Sequence, residues 1–292
     1  MHIRDFDFHL PQALIAQEPL PERDASRLLV LERATGRVRH QVFRDLPELL
    51  NPGDLVVVNR SRVIPARLLA RRPSGEPAEI LLVRAVDAAV WDALLRPGRR
   101  IRAGDRLSIA PGFDALVLET HPSADGRRRL ELRAQDGDWR AAIERHGHVP
   151  LPPYVERGDT PADRERYQSV YAREAGSVAA PTAGLHFTPA LLSRLAARGI
   201  EQAEIVLHVG PGTFRPVKVD DVSQHTVGPE AFEIPRETAA AISKCRTRGG
   251  RVVCVGTTTT RTLESAATSP SMQRPAATIL SHSSDTRLPI GT

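Results

Sequence analysis

Leu55, Val56, Val57 and Val58 follow one another without a polar break and stop at Asn59. An apolar run of that length predicts a strand buried on both faces, as in a parallel or mixed sheet. Ahead of it, two alternating segments flank Thr35-Gly36 and predict a hairpin. A short helix is expected over Asp45–Leu50, ended by Pro52-Gly53, and PQALIAQ predicts a short helix with Pro11 in its first turn. From about Arg67 the rhythm changes to short strand-like runs, AEILLVRAV, VWDALL, RLSIA, ALVLET and RRRLELRA, separated by Gly/Pro turns. Strands at such spacing predict a small antiparallel barrel or sandwich. Helical patterns return with WRAAIERHG and PADRERYQSVYARE. TPALLSRLAARG carries full helix punctuation: Thr188 to cap, Pro189 in the first turn, Gly199 to close. AEIVLHV, RETAAAISKCRTRGG, RVVCVG and TTTTRTLESAA then alternate strand and helix, as in an α/β domain. After Ala267 a Ser/Thr/Pro-rich stretch with no sustained period predicts a disordered tail.

Composition sharpens this picture in three places. With 292 residues, and domains of about 100–200 residues as the norm, two domains are expected. No apolar run approaches the roughly 20 residues of a membrane span, and the charged start MHIRDFDFHL is no signal peptide, so a cytoplasmic protein is expected. The two cysteines, Cys245 and Cys254, form no disulfide framework and read as small core residues. The net charge of +5 is almost all arginine, since only Lys218 and Lys244 are lysine. Arginines cluster at Arg60–Arg72, Arg96–Arg106 and Arg127–Arg133, which suggests a basic face for an anionic partner; a general arginine bias is the competing reading. Aromatics at 4% argue against a platform stacking several single-stranded bases.

Four segments carry candidate chemistry. PTAGLHFT sets small residues and His186 just ahead of a helix start, where free N–H groups suit a carboxylate or phosphate; a tight loop with a structural histidine is the alternative. LHVGPGTF places His208, Gly210 and Gly212 at a strand end, where ligands of open α/β sheets collect, though it lacks the third glycine of a dinucleotide fingerprint. In HTVGPE, His225 and Glu230 could act as acid and base, or form an exposed loop. In VGTTTTRTLES, Arg261 and Glu264 lie one turn apart: an intrahelical ion pair, or an anion grip with the threonine N–H groups. No short His/Cys spacing favours a metal site.

Taken together, FDFHLP from Phe6, SRLLVL from Ser26, VVVNRSRVIPARL from Val56, VYAREAGSVAAPTAGLHFT from Val170, LHVGPGTF from Leu207 and VGTTTTRTLESAA from Val255 resemble the S-adenosylmethionine:tRNA ribosyltransferase-isomerase family of queuosine synthesis. The resemblance implies a mixed-sheet α/β domain, residues 1–66 and 151–267, with an inserted small antiparallel β-barrel domain over 67–150 and a tail over 268–292. It implies transfer of the ribosyl part of S-adenosylmethionine to 7-aminomethyl-7-deazaguanine (preQ1) in a tRNA anticodon, giving epoxyqueuosine-tRNA with loss of adenine and methionine. S-adenosylmethionine is then a substrate; no prosthetic group, metal or membrane is implied, and a monomer is expected. Proton transfer is expected of His186, His208 or His225. Gly184, Gly210 and Gly212 would admit the nucleoside, and Arg261 or Thr257 would take the methionine carboxylate. Asn59, Arg67, Ser177, Thr182, Thr213 and Glu264 complete the expected substrate-binding set, and Arg99, Arg100, Arg102 and Arg128 the expected tRNA-binding set.

The chain departs from the family pattern in three places. Asn59-Arg60-Ser61 stands where an N-D-T triplet is usual. His225–Glu230 lacks the second histidine of H-x-M-H-x-E. The stretch after Ala267 replaces further strands and an L-T-N-F-H-L-P segment. A tRNA-binding module without turnover, and a nucleoside-binding protein unrelated to tRNA, are the alternatives to the enzyme.

Overall fold

The computed structural model describes residues 1–119, 126–214 and 216–268. A hairpin of β1 (Arg27–Glu32) and β2 (Arg37–Val42) comes first, followed by α1 (Leu46–Leu49), β3 (Leu55–Asn59) and β4 (Ser61–Val63). Six strands then close into a barrel: β5 (Arg67–Arg71), β6 (Pro77–Asp87), β7 (Val90–Arg96), β8 (Arg106–Ala110), β9 (Phe113–Val117) and β10 (Arg128–Ala134). They pair antiparallel in the order β10-β7-β6-β5-β8-β9, and β9 returns to β10. Inward residues such as Leu68, Ile80, Leu82, Leu107 and Leu130 are fully buried, and Ala142 and Ile143 of α2 (Trp139–His146) join the same core. After the one-turn α3 (Asp163–Arg166), β11 (Glu174–Ser177) runs parallel to β4.

The chain then builds a second layer structure from α4 (Pro189–Ala197), β12 (Glu201–Leu207), β13 (Phe232–Glu233), α5 (Arg236–Thr247), β14 (Val252–Cys254) and α6 (Gly256–Thr268). The sheet order is β13-β12-β3-β14, with β12 and β14 parallel to β3 and β13 antiparallel. The unbroken apolar run of β3 has a direct cause. Leu55 and Val57 point into a core with Cys245 of α5 and Leu263 of α6, while Val56 and Val58 meet Leu191 and Leu195 of α4 on the other face. Helices thus cover both faces of the sheet. The helix signals around α4 are realised: Thr188 Oγ1 accepts the Leu191 N–H at 3.1 Å, and Gly199 takes φ +74°.

Two expected elements differ. PQALIAQ forms only a 3-10 turn over Gln12–Leu14, because Leu14, 73% exposed, has no core to enter. PADRERYQSVYARE holds a single helical turn. Asp163 there is tied down by Arg157 and by the N–H and hydroxyl of Thr160, while Tyr167 and Tyr171 anchor the following stretch in separate cores. The expected hairpin forms, with Leu28 of β1 partly buried and Leu29 and Leu31 exposed. The stretch read as a tail lies outside the described residues beyond Thr268, which itself ends α6. No helix among the described residues is long and apolar enough to cross a membrane.

Asp54 fixes the amino edge of the sheet. It is 2% exposed, accepts the N–H groups of Asn51 and Arg251 at 2.9 Å, and pairs with the Arg251 guanidinium at 2.5 Å. Burial pushes its carboxyl up, but these donors outweigh burial and hold it at about 2. A carboxyl lower in the folded than in the unfolded state stabilises above the unfolded value and stops doing so as pH falls through the folded one. Asp54 should therefore contribute about 2 kcal/mol near neutrality, lost as pH falls from the ordinary 3.8 toward about 2. Asp163, held at about 2 mainly by Arg157, titrates in the same window. Urea unfolding of Asp54→Asn across this range should show lower stability near neutral pH and a shallower acid loss; an unchanged midpoint at neutral pH would refute the assignment.

Candidate active site

The parallel strands β3, β12 and β14 all end on one edge, and a buried polar network fixes that edge. Asn59 is 1% exposed. Its Oδ1 accepts the N–H groups of Ser61 and Leu207, each at 3.1 Å, and its Nδ2 donates to the Leu207 carbonyl at 2.9 Å. Ser177, fully buried, accepts the Val209 N–H at 3.0 Å and donates to Ser61 Oγ at 2.8 Å. The residues on either side of His208 are thus both held, and its own N–H donates to the Ala231 carbonyl at 3.1 Å. The imidazole lies against Gly176, whose φ is +146°, where a Cβ would sit 2.7 Å from Nδ1 and 2.8 Å from Cε1. Only glycine combines that backbone with that contact.

His208 faces a cleft of about 830 Å³ between barrel and sheet. On the sheet side the cleft is lined by Gly176, His208, Gly210 and Glu230; on the barrel side by Ile64, Val83, Trp91, Trp139 and Ile143. Burial pushes the His208 imidazole below its ordinary value, with Glu174 opposing weakly, so the neutral ring dominates at pH 7. Its buried Nδ1 has no hydrogen-bond partner among the described residues. Glu230 accepts the Gly210 N–H at 2.8 Å and pairs with Arg261 Nη1 at 2.5 Å, while Arg261 Nη2 donates to the Gly228 carbonyl at 2.9 Å. Burial raises the Glu230 carboxyl against the pull of these donors. The arrangement sets a neutral, rigid imidazole and an ion pair on one wall of a cleft in the size range of small-molecule sites.

The structure sorts the expected residues. His208 and Gly210 share the cleft wall, and Arg261 reaches it through Glu230. His186 sits elsewhere, at the end of a 3-10 turn over Thr182–His186, its ring 5.2 Å from that of Phe43. His225 closes a 3-10 turn over Val222–Gln224, away from the cleft lining. Asn59 and Ser177 bind backbone and each other's neighbours, so they position His208 and do not present to a ligand. Arg67 pairs with Glu79 in the barrel wall at 2.9 Å. Gly184 is small because the Tyr171 hydroxyl packs on it. Gly212 and the exposed Thr213 lie in a 3-10 turn over Pro211–Phe214. Thr182 and Thr257 are exposed; the 3-10 turn carrying Thr182 touches the start of α6, with Ala183 3.3 Å from a Cβ built on Gly256. The hydroxyls of Thr259 and Thr260 bond back to the Val255 and Gly256 carbonyls one turn earlier. Glu264 is exposed and Arg261 pairs with Glu230 instead, which replaces the intrahelical pair expected from spacing.

Arg99, Arg100 and Arg102 are exposed on a turn of the barrel. Arg128 is not: at 8% exposure its guanidinium donates to the carbonyls of Ile101 and Gly98, the latter at 2.7 Å. It shapes the turn that carries the other three. Sequence reasoning missed Gly176, Trp91 and Trp139, and matched Glu230 with His225 where the structure pairs it with Arg261. Glu230 lay in a motif weighed as a loop, and the two tryptophans, the only ones in the chain, carried a signal of rarity alone.

The family model described as queuosine biosynthesis protein matches residues 3–290. The chain belongs to this queuosine biosynthesis family. Relatives include the S-adenosylmethionine:tRNA ribosyltransferase-isomerase of Thermotoga maritima, 49% identical over 94% of this chain and 79% of that protein. The protein of the same name from Moorella thermoacetica is 51% identical over 92% of this chain and 78% of its own length. A solved structure of the S-adenosylmethionine tRNA ribosyltransferase from Thermotoga maritima is 38% identical over 91% of this chain and 74% of that one, with a TM-score of 0.43. In this member of the queuosine biosynthesis family, Arg60 replaces an expected carboxylate, and its guanidinium faces Glu174 at 3.4 Å and Glu204 at 3.5 Å.

NMR titration should find His208 protonating below the ordinary histidine value of 6.5. Gly176→Ala should displace the ring, move that titration and lower the thermal midpoint. An unmoved His208 resonance in the variant would mean that Gly176 is not its seat.

Proposed function

We propose that this chain transfers and isomerises the ribosyl moiety of S-adenosylmethionine onto preQ1 in tRNA, giving epoxyqueuosine-tRNA and releasing adenine and methionine. The observation that carries the reading is close identity to proteins named for that reaction along more than nine-tenths of the chain. The cleft supports a division of labour. A sulfonium acidifies the hydrogens of the adjacent ribose C5′, so a base of modest strength suffices to remove one. Neutral His208 supplies that base by accepting a C5′ proton; the C–N bond to the aminomethyl nitrogen, the C–C bond that closes the carbocycle and the epoxide C–O bond then form as the ribose ring C–O, C1′–adenine and C5′–sulfur bonds break, and of the two protons lost, from C5′ and from the amine, one leaves on adenine and the other passes to solvent. Glu230 and Arg261 hold the Gly210 loop against the same wall and set a charged pair beside the reacting ribose. No step calls for a metal. Arg99, Arg100 and Arg102 reach tRNA phosphates from the barrel, the substrate carries preQ1 in its anticodon, and the working unit is a monomer.

Wild-type chain, S-adenosylmethionine and preQ1-bearing tRNA should release adenine together with tRNA modification; tRNA binding without adenine release would favour the inert module instead. His208→Ala should lower kcat by roughly 10²–10⁴-fold, and His186→Ala should stay within a few-fold of wild type. Because His208 must be neutral to act, kcat/KM should rise with pH through a limb below 6.5. Equal losses in the two variants would remove His208 from the role of base.

Arg99→Ala with Arg100→Ala should reduce the salt slope of tRNA binding by about 1.5–2. An unchanged slope would move the tRNA face off this turn.

A further inference from the structure

The only two tryptophans of the chain come from distant stretches, yet meet on one wall of the cleft. Trp91 stands on β7, opposite Leu130 of β10, and is 7% exposed. Trp139 opens α2, whose first turn is held by Asp138 accepting the Ala141 N–H at 3.0 Å. The ring centroids are 6.0 Å apart at 77°, an edge-to-face pair, and the Arg140 guanidinium lies 4.3 Å from the centre of the Trp139 ring. The indole N–H of Trp91 is buried with no hydrogen-bond partner among the described residues. That donor is closed off from the cleft, so what the two residues offer a ligand is ring surface. The facing wall is polar, with His208, Gly210 and Glu230. The cleft is therefore two-sided: aromatic on the barrel, ionisable on the sheet. A ligand matched to it has a flat heterocycle at one end and a polar, reacting sugar or amine at the other.

We infer that the Trp91–Trp139 wall binds the purine-type bicyclic base of a substrate and thereby presents the group attached to that base to His208. The inference rests on the proposed reaction and assigns its base-recognition site to the barrel. Two substrates of that reaction contain such a base, the adenine of S-adenosylmethionine and the 7-deazaguanine of preQ1. Both present a π-face suited to an indole ring. Base–aromatic contact of this kind is sequence-tolerant in general and contributes roughly ten- to a hundredfold in affinity per base.

Because both tryptophans lie on this wall, emission from the wild-type protein reports on it without mutation. Titration with S-adenosylhomocysteine, which cannot react, and separately with free 7-aminomethyl-7-deazaguanine should quench or shift emission in one case, and that case names the base. Trp139, half-buried at a helix start, is the residue to vary. Trp139→Ala should raise KM for the identified substrate about tenfold and leave kcat within about twofold, while Trp139→Phe should restore most of the loss. Silent tryptophan emission, with S-adenosylmethionine binding still seen by equilibrium dialysis, would overturn the base site and leave the reaction standing. Unchanged KM values in Trp139→Ala would overturn it equally. Failure of the wild type to bind S-adenosylmethionine or release adenine would sink the reaction, and the base site with it.

Discussion

Two buried side chains, Asn59 and Ser177, bracket one peptide unit on each side of His208, and the site depends on that clamp. Asn59 binds both the N–H and the carbonyl of Leu207; Ser177 binds the N–H of Val209. Strand pairing ends in this region: the β12–β3 register runs out at Ile205 opposite Asn59, and β13 pairs only with Val206 and Leu207. Past the ladder, backbone groups need other partners or they are buried unsatisfied. The clamp supplies those partners from side chains. A satisfied buried polar network also specifies a single arrangement more sharply than apolar packing does, since any shift leaves a donor or acceptor bare at about 1–3 kcal/mol each. His208 inherits that rigidity through its own backbone, and Gly176 adds the flat surface under its ring.

The clamp also explains how a barrel and a sheet come to share one cleft. Ser61 opens β4 one residue past β3, Ser177 ends β11, and their hydroxyls meet at 2.8 Å. The barrel enters the chain after β4 and leaves before β11, so the two strands that carry it in and out are joined beside His208. Val178, next to Ser177, is counted in the barrel core, whereas Ala179 belongs to the sheet core. One residue step thus passes from one hydrophobic core to the other, directly beneath the cleft. A barrel docked through so short a span brings β7 and α2 to the ends of the parallel strands, where open α/β sheets collect ligands.

Much of this was legible in the sequence, for identifiable reasons. The run Leu55–Val58, the alternating barrel strands and the Thr188–Gly199 helix punctuation each follow from local rules that tertiary context did not override. The motif around His208 was also visible as a strand end with small residues. What stayed hidden was partner choice. Asn59 and Ser177 look like ligand groups by residue type; only burial reveals that they bind backbone. Arg128 belongs to a basic cluster in sequence, but its strand position turns it inward onto the carbonyls of Ile101 and Gly98. Arg261 has Glu264 one turn away and still pairs with Glu230, thirty-one positions distant, because the helix face it occupies looks toward the cleft. Non-local pairings of this kind leave no periodic trace.

That last pairing joins the end of the described chain to its chemistry. α6 packs on β12, β3 and β14, and its Arg261 is 15% exposed against a Glu230 that is 13% exposed. Removing either partner would leave the other charge buried alone, a far larger penalty than the net worth of the pair. Glu230 in turn holds the Gly210 N–H, two residues beyond His208. The position of α6 on the sheet is therefore communicated to the cleft through two contacts, an ion pair and one backbone hydrogen bond. β14 and α6 form the last strand–helix unit described, and β14 is bonded to β3 on one side only among the described residues. That edge strand borders α6, whose Arg261 pairs with Glu230, and Glu230 holds the loop that borders the imidazole.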